Sequence, residues 1–519
     1  PLPSGGLTFN GGDPTSGPPG DALVISRGTS TGLFNTITHT LVNESDGSVS
    51  FDPDGPGGAP ASTVTYTGLE PVSDNMDAVN RMFVFTSTNA ETITLSDDSD
   101  VGDGESRIDS TESETVTFAN PSGSLTIQTE TMGGAGADAV NVQGLDSTYS
   151  ANLTITAGTD DSLTFQTTPT NLGAGSLSGT AGTVSVASSG SVSTSGNITL
   201  HATNGAASIA GFVSNTAGTS SFISVTSDTT GVSVSSTGSL NSDGAITINA
   251  AGNTTIQGQL NNTSSSGTPA ISVVTTAGTL STSGSGSISS KGDITLSAPG
   301  AVSVDASVSN TPGAGGNVTI TSTGGGFSNT IAGSIYSNGA ITINAAGNTS
   351  IQGNLSNTSS SGTPAISVIT TVGTLSTSGS GLISSKGNIT LSAPGDVSVG
   401  APVSNFTGSG TTTITSSGGS INGNGTITAN VLDLNAATGI GDTTALNTAA
   451  SSLSADTTGG AIDINNAKST TTTVTSLTTG QANITLDQTG GGALNFTGPV
   501  TLDGTAGHDI LVTCTAGVT

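Results

Sequence analysis

The pattern G-x-I-T-[IL] recurs at Gly196, Gly244, Gly292, Gly339 and Gly387, with spacings of 48, 48, 47 and 48 residues. No other feature limits the fold as tightly, because units repeated at that interval bury their apolar faces against their own copies. Two units make a longer period of 95. Residues 244–310 align without a gap on 339–405 and differ at only 10 of 67 positions. Val274 against Ile369 and Ala277 against Val372 exchange apolar volume, while Gln259 against Asn354 and Asp293 against Asn388 exchange polar groups. Ala301 against Asp396 and Ser287 against Leu382 cross between the two classes, which places those side chains in solvent or at a coil edge.

Within a unit, Ile341 and Ile343, Ile366 and Val368, Ile389 and Leu391, and Val397 and Val399 alternate with Thr, Ser or Asn. A period of two is that of a strand with one face in and one face out. The runs are short, and the Gly, Asn-Thr, Ser-Gly and Ala-Pro-Gly stretches between them favour turns over helix caps. No segment carries a helical period. Each unit holds roughly six such runs, so it divides into two coils of ~24 residues with three strands each, the geometry of a parallel β-helix. Tandem β-sandwiches are the competing arrangement, since a sandwich domain of ~100 residues approaches the 95-residue period. The solenoid is favoured because identical coils stack like on like at ~4.8 Å, and a narrow bore suits Val, Ile, Leu and Ala.

Composition agrees with a narrow bore. The 519 residues include 76 Gly and no Trp, and aromatic residues make up 3%. Charge is sparse and one-sided, with 35 acidic against 6 basic residues and a net charge of −29. That balance argues against nucleic-acid and anionic-membrane partners, which need clustered Lys and Arg. No run approaches the ~18 apolar residues of a membrane span. The single Cys514 forms no intramolecular disulfide and is expected to be a small buried strand residue. Pro1 opens the chain without a methionine or apolar signal segment, as in a mature or excised piece.

Acidic residues are unevenly spread, with 23 Asp and Glu and 3 Arg in residues 1–165. Three regions are therefore expected: an acidic, irregular β region at 1–185, either solenoid or a separate β domain; a repetitive β-solenoid at 186–424; and a continuation at 425–519. At ~24 residues per coil the middle region makes about ten coils, and at ~4.8 Å per coil they span roughly 48 Å.

Residues 425–466 read G-T-I-T-A-N-V-L-D-L-N-A-A-T-G-I-G-D, then T-A-L-N-T-A-A-S-S-L-S-A, then G-G-A-I-D-I-N-N. This stretch resembles the large bacterial exoproteins related to filamentous haemagglutinin, and with the repeats the resemblance covers about 186–519. It implies a secreted right-handed β-helical stalk used in adhesion or cell-surface structure. The amino-terminal secretion domain of that family and a recognisable receptor-binding tip have no counterpart in the sequence.

Two acidic motifs are candidates for calcium. Gly133 to Asn141 reads G-G-A-G-A-D-A-V-N, matching the nonapeptide G-G-x-G-x-D-x-U-x, in which backbone carbonyls and a carboxylate, here Asp138, meet a hard cation. In that motif each ion is shared between adjacent turns, and only the partial Gly158-Thr159-Asp160-Asp161 follows, so Asp160 is the companion candidate. The run D-D-S-D-V-G-D-G-E at 97–105 offers Asp98, Asp100 and Asp103 from one loop, although its spacing departs from the EF-hand. The bland reading of both is a solvated acidic turn.

No enzymatic constellation stands out. Gly28 to Gly32 fits the nucleophile-elbow pattern around Ser30, but a chain this rich in Gly and Ser makes such matches by chance. His39, His201 and His508 lie far apart and read as surface or strand-face residues. Carbohydrate-cleaving β-helices are the main enzymatic rival, yet residues 186–519 hold three Lys and no Arg, and their acids do not repeat in register. Ice binding would need regular T-x-T ladders; Thr342 and Asn344 alternate outward, but neighbouring coils are expected to break the column. Triplets N-x-[ST], including Asn253, Asn348, Asn388 and Asn483, follow from composition. The expected protein is thus a bacterial extracellular or cell-surface structural protein and not an enzyme. It would be a stalk, adhesin segment or fibre subunit that self-associates or continues covalently in a longer chain. A host-surface or matrix glycan is its possible ligand, and carbohydrate binding or cleavage is the alternative function.

Overall fold

The computed structural model describes residues 6–12, 21–26, 32–55, 62–69, 71–129, 136–166, 169–215, 221–264, 270–310, 315–357, 359, 365–405, 410–502 and 507–516. Among them every regular element is a strand, and the chain is a parallel β-solenoid of about 15 turns. It divides into two compact units, residues 1–252 with 258–264, and residues 253–257 with 265–519.

From Ile271–Thr275 to Val403–Ser404 each strand pairs in parallel with the strand three places further along the chain, as three strands per coil require. From Thr411–Ser416 on, the long strands Ile427–Ala436 and Leu446–Thr457 bring partners to one or two places apart. The register is direct. Ile271, Ile294, Val318, Ile341, Ile366 and Ile389 form one inward column, and Val273, Leu296, Ile320, Ile343, Val368 and Leu391 form the next. All twelve are fully buried, and each such side chain removed from water stabilises the coil by roughly 1.5–3 kcal/mol. The first unit carries the same columns, Leu153, Leu177, Ile198, Ile223 and Ile246 among them. These columns are thus rows of β-branched and leucine side chains, which interlock at strand spacing, whereas residues 34–119 also bury the rings of Phe51, Tyr66, Phe83, Phe85 and Phe118.

The ten differences between 244–310 and 339–405 all fall at positions that are not buried in either copy. Leu382, opposite Ser287 in the alignment, is 37% exposed, and both Ala301 and Asp396 are exposed, as the class-crossing exchanges require. The interior has been copied unchanged.

The repeated glycine has a geometric cause. In every copy the residue two places before it is Ser or Thr, and that hydroxyl accepts the glycine N–H: Thr194 for Gly196, Ser242 for Gly244, Ser290 for Gly292, Ser337 for Gly339 and Ser385 for Gly387, at 2.9–3.1 Å. The turn this closes lies directly on a neighbouring coil, so that a Cβ on Gly244 would stand 1.4 Å from the Ser221 carbonyl oxygen. The same Ser and Thr residues belong to a buried polar column in which they alternate with asparagine. Thr194 stacks on Asn215, which stacks on Ser242 and then Asn262; in the second unit the order is Ser290, Asn310, Ser337, Asn357. The asparagine amides reach glycine carbonyls, Asn262 that of Gly244, Asn357 that of Gly339 and Asn405 that of Gly387. Long and short coils alternate at this corner: 27 residues separate Asn310 from Ser337, and 20 separate Ser337 from Asn357.

Residues 34–119 depart from this pattern. Phe34–Leu41, Gly47–Asp52 and Ser62–Thr67 form an antiparallel meander. Thr92–Asp97, Glu105–Ser110 and Val116–Ala119 form a second one. Each is also paired in parallel with coil strands, Phe34–Leu41 on Ala78–Phe85 and Val116–Ala119 on Val72–Asp74. The irregular acidic region is therefore solenoid interrupted by hairpins.

Gly244→Ala should destabilise the chain by about 1–3 kcal/mol, because the coils must part to admit the methyl group. Gly459→Ala, whose Cβ meets nothing nearer than 3.9 Å, should be close to neutral. Chemical denaturation of the two variants separates these outcomes.

Candidate functional site

The acidic run 97–105 is the tip of the hairpin whose arms are Thr92–Asp97 and Glu105–Ser110. Its sharp turn uses positive φ at Ser99 (94°), Gly102 (87°) and Gly104 (86°), and the Gly102 N–H donates to the Asp146 carboxylate at 2.5 Å. The fold brings Asp98 and Asp103 together with Glu105, one carboxylate oxygen from each lying within 4.8 Å of the others. Asp100 stays outside this group, and its N–H donates to Asp98. Glu105 was within the sequence motif but follows the loop as the first residue of a strand, so spacing within the loop did not single it out. Burial, with Asp103 and Asp98 adding to it, raises the Glu105 carboxyl above its ordinary value; Asp97 is raised by burial and by Asp146 and Asp98. Crowded carboxylates of this kind gain from a divalent cation, which takes oxygen ligands and removes their mutual repulsion.

The second calcium motif is arranged otherwise. Residues 133–135 lie outside the described residues. Asp138 is buried, its carboxylate accepting the Glu91 N–H at 2.9 Å, and its own N–H donates to Asp161 at 2.7 Å. Asp161 is also buried and accepts from Thr129 and from the Gly158 N–H, whereas Asp160 beside it is exposed. Asp138 and Asp161 thus pin successive coils to one another, and neither Asp138 nor Asp160 joins a three-carboxylate group among the described residues.

The histidines separate by environment. His201 is a half-exposed strand-face residue 2.8 Å from Asp228, and His508 is half-buried. His39 departs from the surface reading: it is fully buried together with Asp74 and Arg81. Its Nε2 is 2.9 Å from Asp74 Oδ2, and the Arg81 guanidinium donates to the same oxygen, to the Met76 carbonyl at 2.7 Å and to the Ala119 carbonyl at 3.2 Å. The His39 ring stacks on Phe83 at 4.8 Å, and the guanidinium lies 5.5 Å from the Phe118 centroid. Burial alone would raise Asp74, but Arg81 and His39 outweigh it and hold the carboxyl at about 2. Asp74 is 35 residues from His39, so no local pattern announces the pair.

Ser30 lies outside the described residues. Cys514 is half-buried on the strand Ile510–Cys514. The N-x-[ST] asparagines have a structural role in which the side-chain oxygen accepts an N–H from the next coil: Asn253 from Thr279, Asn348 from Thr374, Asn388 from Thr411 and Asn483 from Asp509, at 2.8–3.0 Å. Asp293, the counterpart of Asn388, accepts from Asn317 in the same way, which explains why that exchange is tolerated. The outward column through Thr342 is more regular than its neighbours suggested, since Ser272, Thr295, Thr319, Thr342, Ser367, Thr390 and Thr413 follow one another in register. The next column is mixed, with Thr321, Asn344, Ile369 and Ser392 in succession. Further along, Thr415, Asn435 and Asp456 occupy adjacent rungs and line a shallow polar groove of about 290 Å³.

No family model, curated protein or solved structure matches this chain.

Arg81→Met would strand Asp74 in the core and should cost about 3–5 kcal/mol in urea unfolding at pH 7. Because Asp74 titrates below its ordinary 3.8, the stability it contributes is complete above that value and is lost as pH falls towards 2. The wild type should therefore lose stability across that window, and Asp74→Asn should flatten it.

Proposed function

We propose that this chain is an extracellular structural protein, a stalk or adhesin segment or a fibre-forming subunit of a bacterial surface or matrix filament. The observation that carries this reading is the duplicated segment, whose ten changes all lie outside the coil interior. Copying a self-stacking unit adds coils without redesigning a core, while the exposed positions remain free to vary. Length and surface are what such duplication produces. The uncharged hydroxyl column through Thr342 gives part of that surface hydrogen-bonding capacity without fixed charge. Electron microscopy of the native material, with its intact mass, tests the proposal: filaments or narrow rods are expected, and compact globular particles would overturn it.

Calcium is the proposed ligand of the hairpin tip, held by Asp98 and Asp103 with Glu105. Isothermal titration should show binding that Asp98→Asn with Asp103→Asn removes, and added Ca²⁺ should raise the melting temperature. A melt indifferent to both chelator and Ca²⁺ would refute the site. A carbohydrate-binding function draws on the groove at Thr415, Asn435 and Asp456, where a hydroxyl, an amide and a carboxylate converge as polyol recognition requires.

A further inference from the structure

His39 is a titratable group with one direction of response. Arg81 Nη1 is 3.3 Å from His39 Nε2, and both donate to Asp74 Oδ2. Asp74 is ionised and its carboxylate oxygens only accept, so the ring proton belongs on Nε2, 2.9 Å from Oδ2. Nδ1 is then a bare acceptor, buried and without a hydrogen-bond partner. A further proton can add only there. It would place a second cation beside Arg81 with one carboxylate between them and would leave the new N–H unsatisfied, both costly where water is excluded.

The position of the ring decides what that cost acts upon. His39 lies on Phe34–Leu41, the strand by which the antiparallel meander of residues 34–67 joins the parallel coil strand Ala78–Phe85. Val72–Asp74 contributes Asp74 to its surroundings; Ala78–Phe85 contributes Arg81 and the stacked Phe83. Gly47–Asp52 places Val49 opposite it, and Phe118 from Val116–Ala119 packs behind Phe83. Among the described residues the charged groups acting on the ring are Asp74 and Arg81.

We infer that His39 makes the seating of residues 34–67 on the solenoid an acid-released joint: proton uptake at Nδ1 loosens the meander while the repeated coils stay closed. Burial holds the ring below its ordinary 6.5, by more than Asp74 raises it. The open state therefore takes up the proton first, and opening becomes easier as pH falls below 6.5. The gain is at most about tenfold per pH unit and stops at the lowered value of the closed state. This window opens at 6.5, above the ordinary 3.8 below which Asp74 begins to matter.

Hydrogen exchange of the full chain at pH 7.5 and pH 5, corrected for intrinsic rates, tests the inference. Protection in residues 34–67 should fall, by up to about thirtyfold, with residues 271–414 unchanged. His39→Gln keeps a donor for Asp74 and removes the titration, so it should abolish the difference. An equal loss in that variant, or no loss in the wild type, would overturn the joint. Should the variant not fold, imidazole ¹⁵N spectra of the native chain, which has only three histidines, provide the second test. A His39 that stays neutral, with the proton on Nε2, at pH 6 is expected, and one that titrates near 6.5 with exchange unchanged would refute the proposal.

Discussion

Direct in-register contact between a coil and its successor is the constraint from which the rest of this fold follows. A parallel ladder places each residue on its counterpart, so a position selects its own neighbour. Ile341 meets Val318 on one side and Ile366 on the other, and any residue chosen for that column must pack against its like. Hydrophobic burial and ladder hydrogen bonds then favour the same register, which is how a chain dominated by small residues specifies one structure. The glycine of each repeat obeys the same constraint, because the backbone of one turn rests on that of another.

This also explains what was legible beforehand. Period, strand assignment and parallel pairing could be read from Ile341, Ile343, Ile366 and Val368 because a solenoid writes each contact into the sequence as a repeat. The exposed character of Leu382 and Asp396 was readable for the same reason, as the two copies record which positions tolerate a change of class. The antiparallel meanders were not legible, since each occurs once and no second copy supplies a period. Nor was the His39, Asp74 and Arg81 cluster, which is assembled only when Phe34–Leu41 is laid on Ala78–Phe85. Of the calcium candidates, Asp98 and Asp103 came from a loop that turns back on itself. Asp138 carries the right motif but is occupied with backbone N–H groups that only the stacked coils supply.

Polar side chains fall into two kinds of service. Asn253, Asn348, Asn388 and Asn483 reach one coil further and accept an N–H that the turn would otherwise leave to water. That task needs one oxygen, so aspartate performs it equally well at Asp293. The cluster around Asp74 is the opposite case: Asp74, Arg81 and His39 meet in the core, where Arg81 also needs the Met76 and Ala119 carbonyls and His39 Nδ1 is left without a partner. The first arrangement is modular and survives copying. The second occurs once among the described residues, where Phe34–Leu41 is laid on Ala78–Phe85.

The alternation of hydroxyl and asparagine in the buried polar column gives the solenoid a parity. A coil bearing Ser337 is followed by one bearing Asn357, whose amide takes the carbonyl of Gly339. Removing one coil would stack asparagine on asparagine and leave an amide without its glycine carbonyl, whereas removing two restores the sequence of partners. The smallest change of length that the interior accepts is therefore a pair of coils. Growth by whole pairs follows from that rule, and the 95-residue duplication is two such steps.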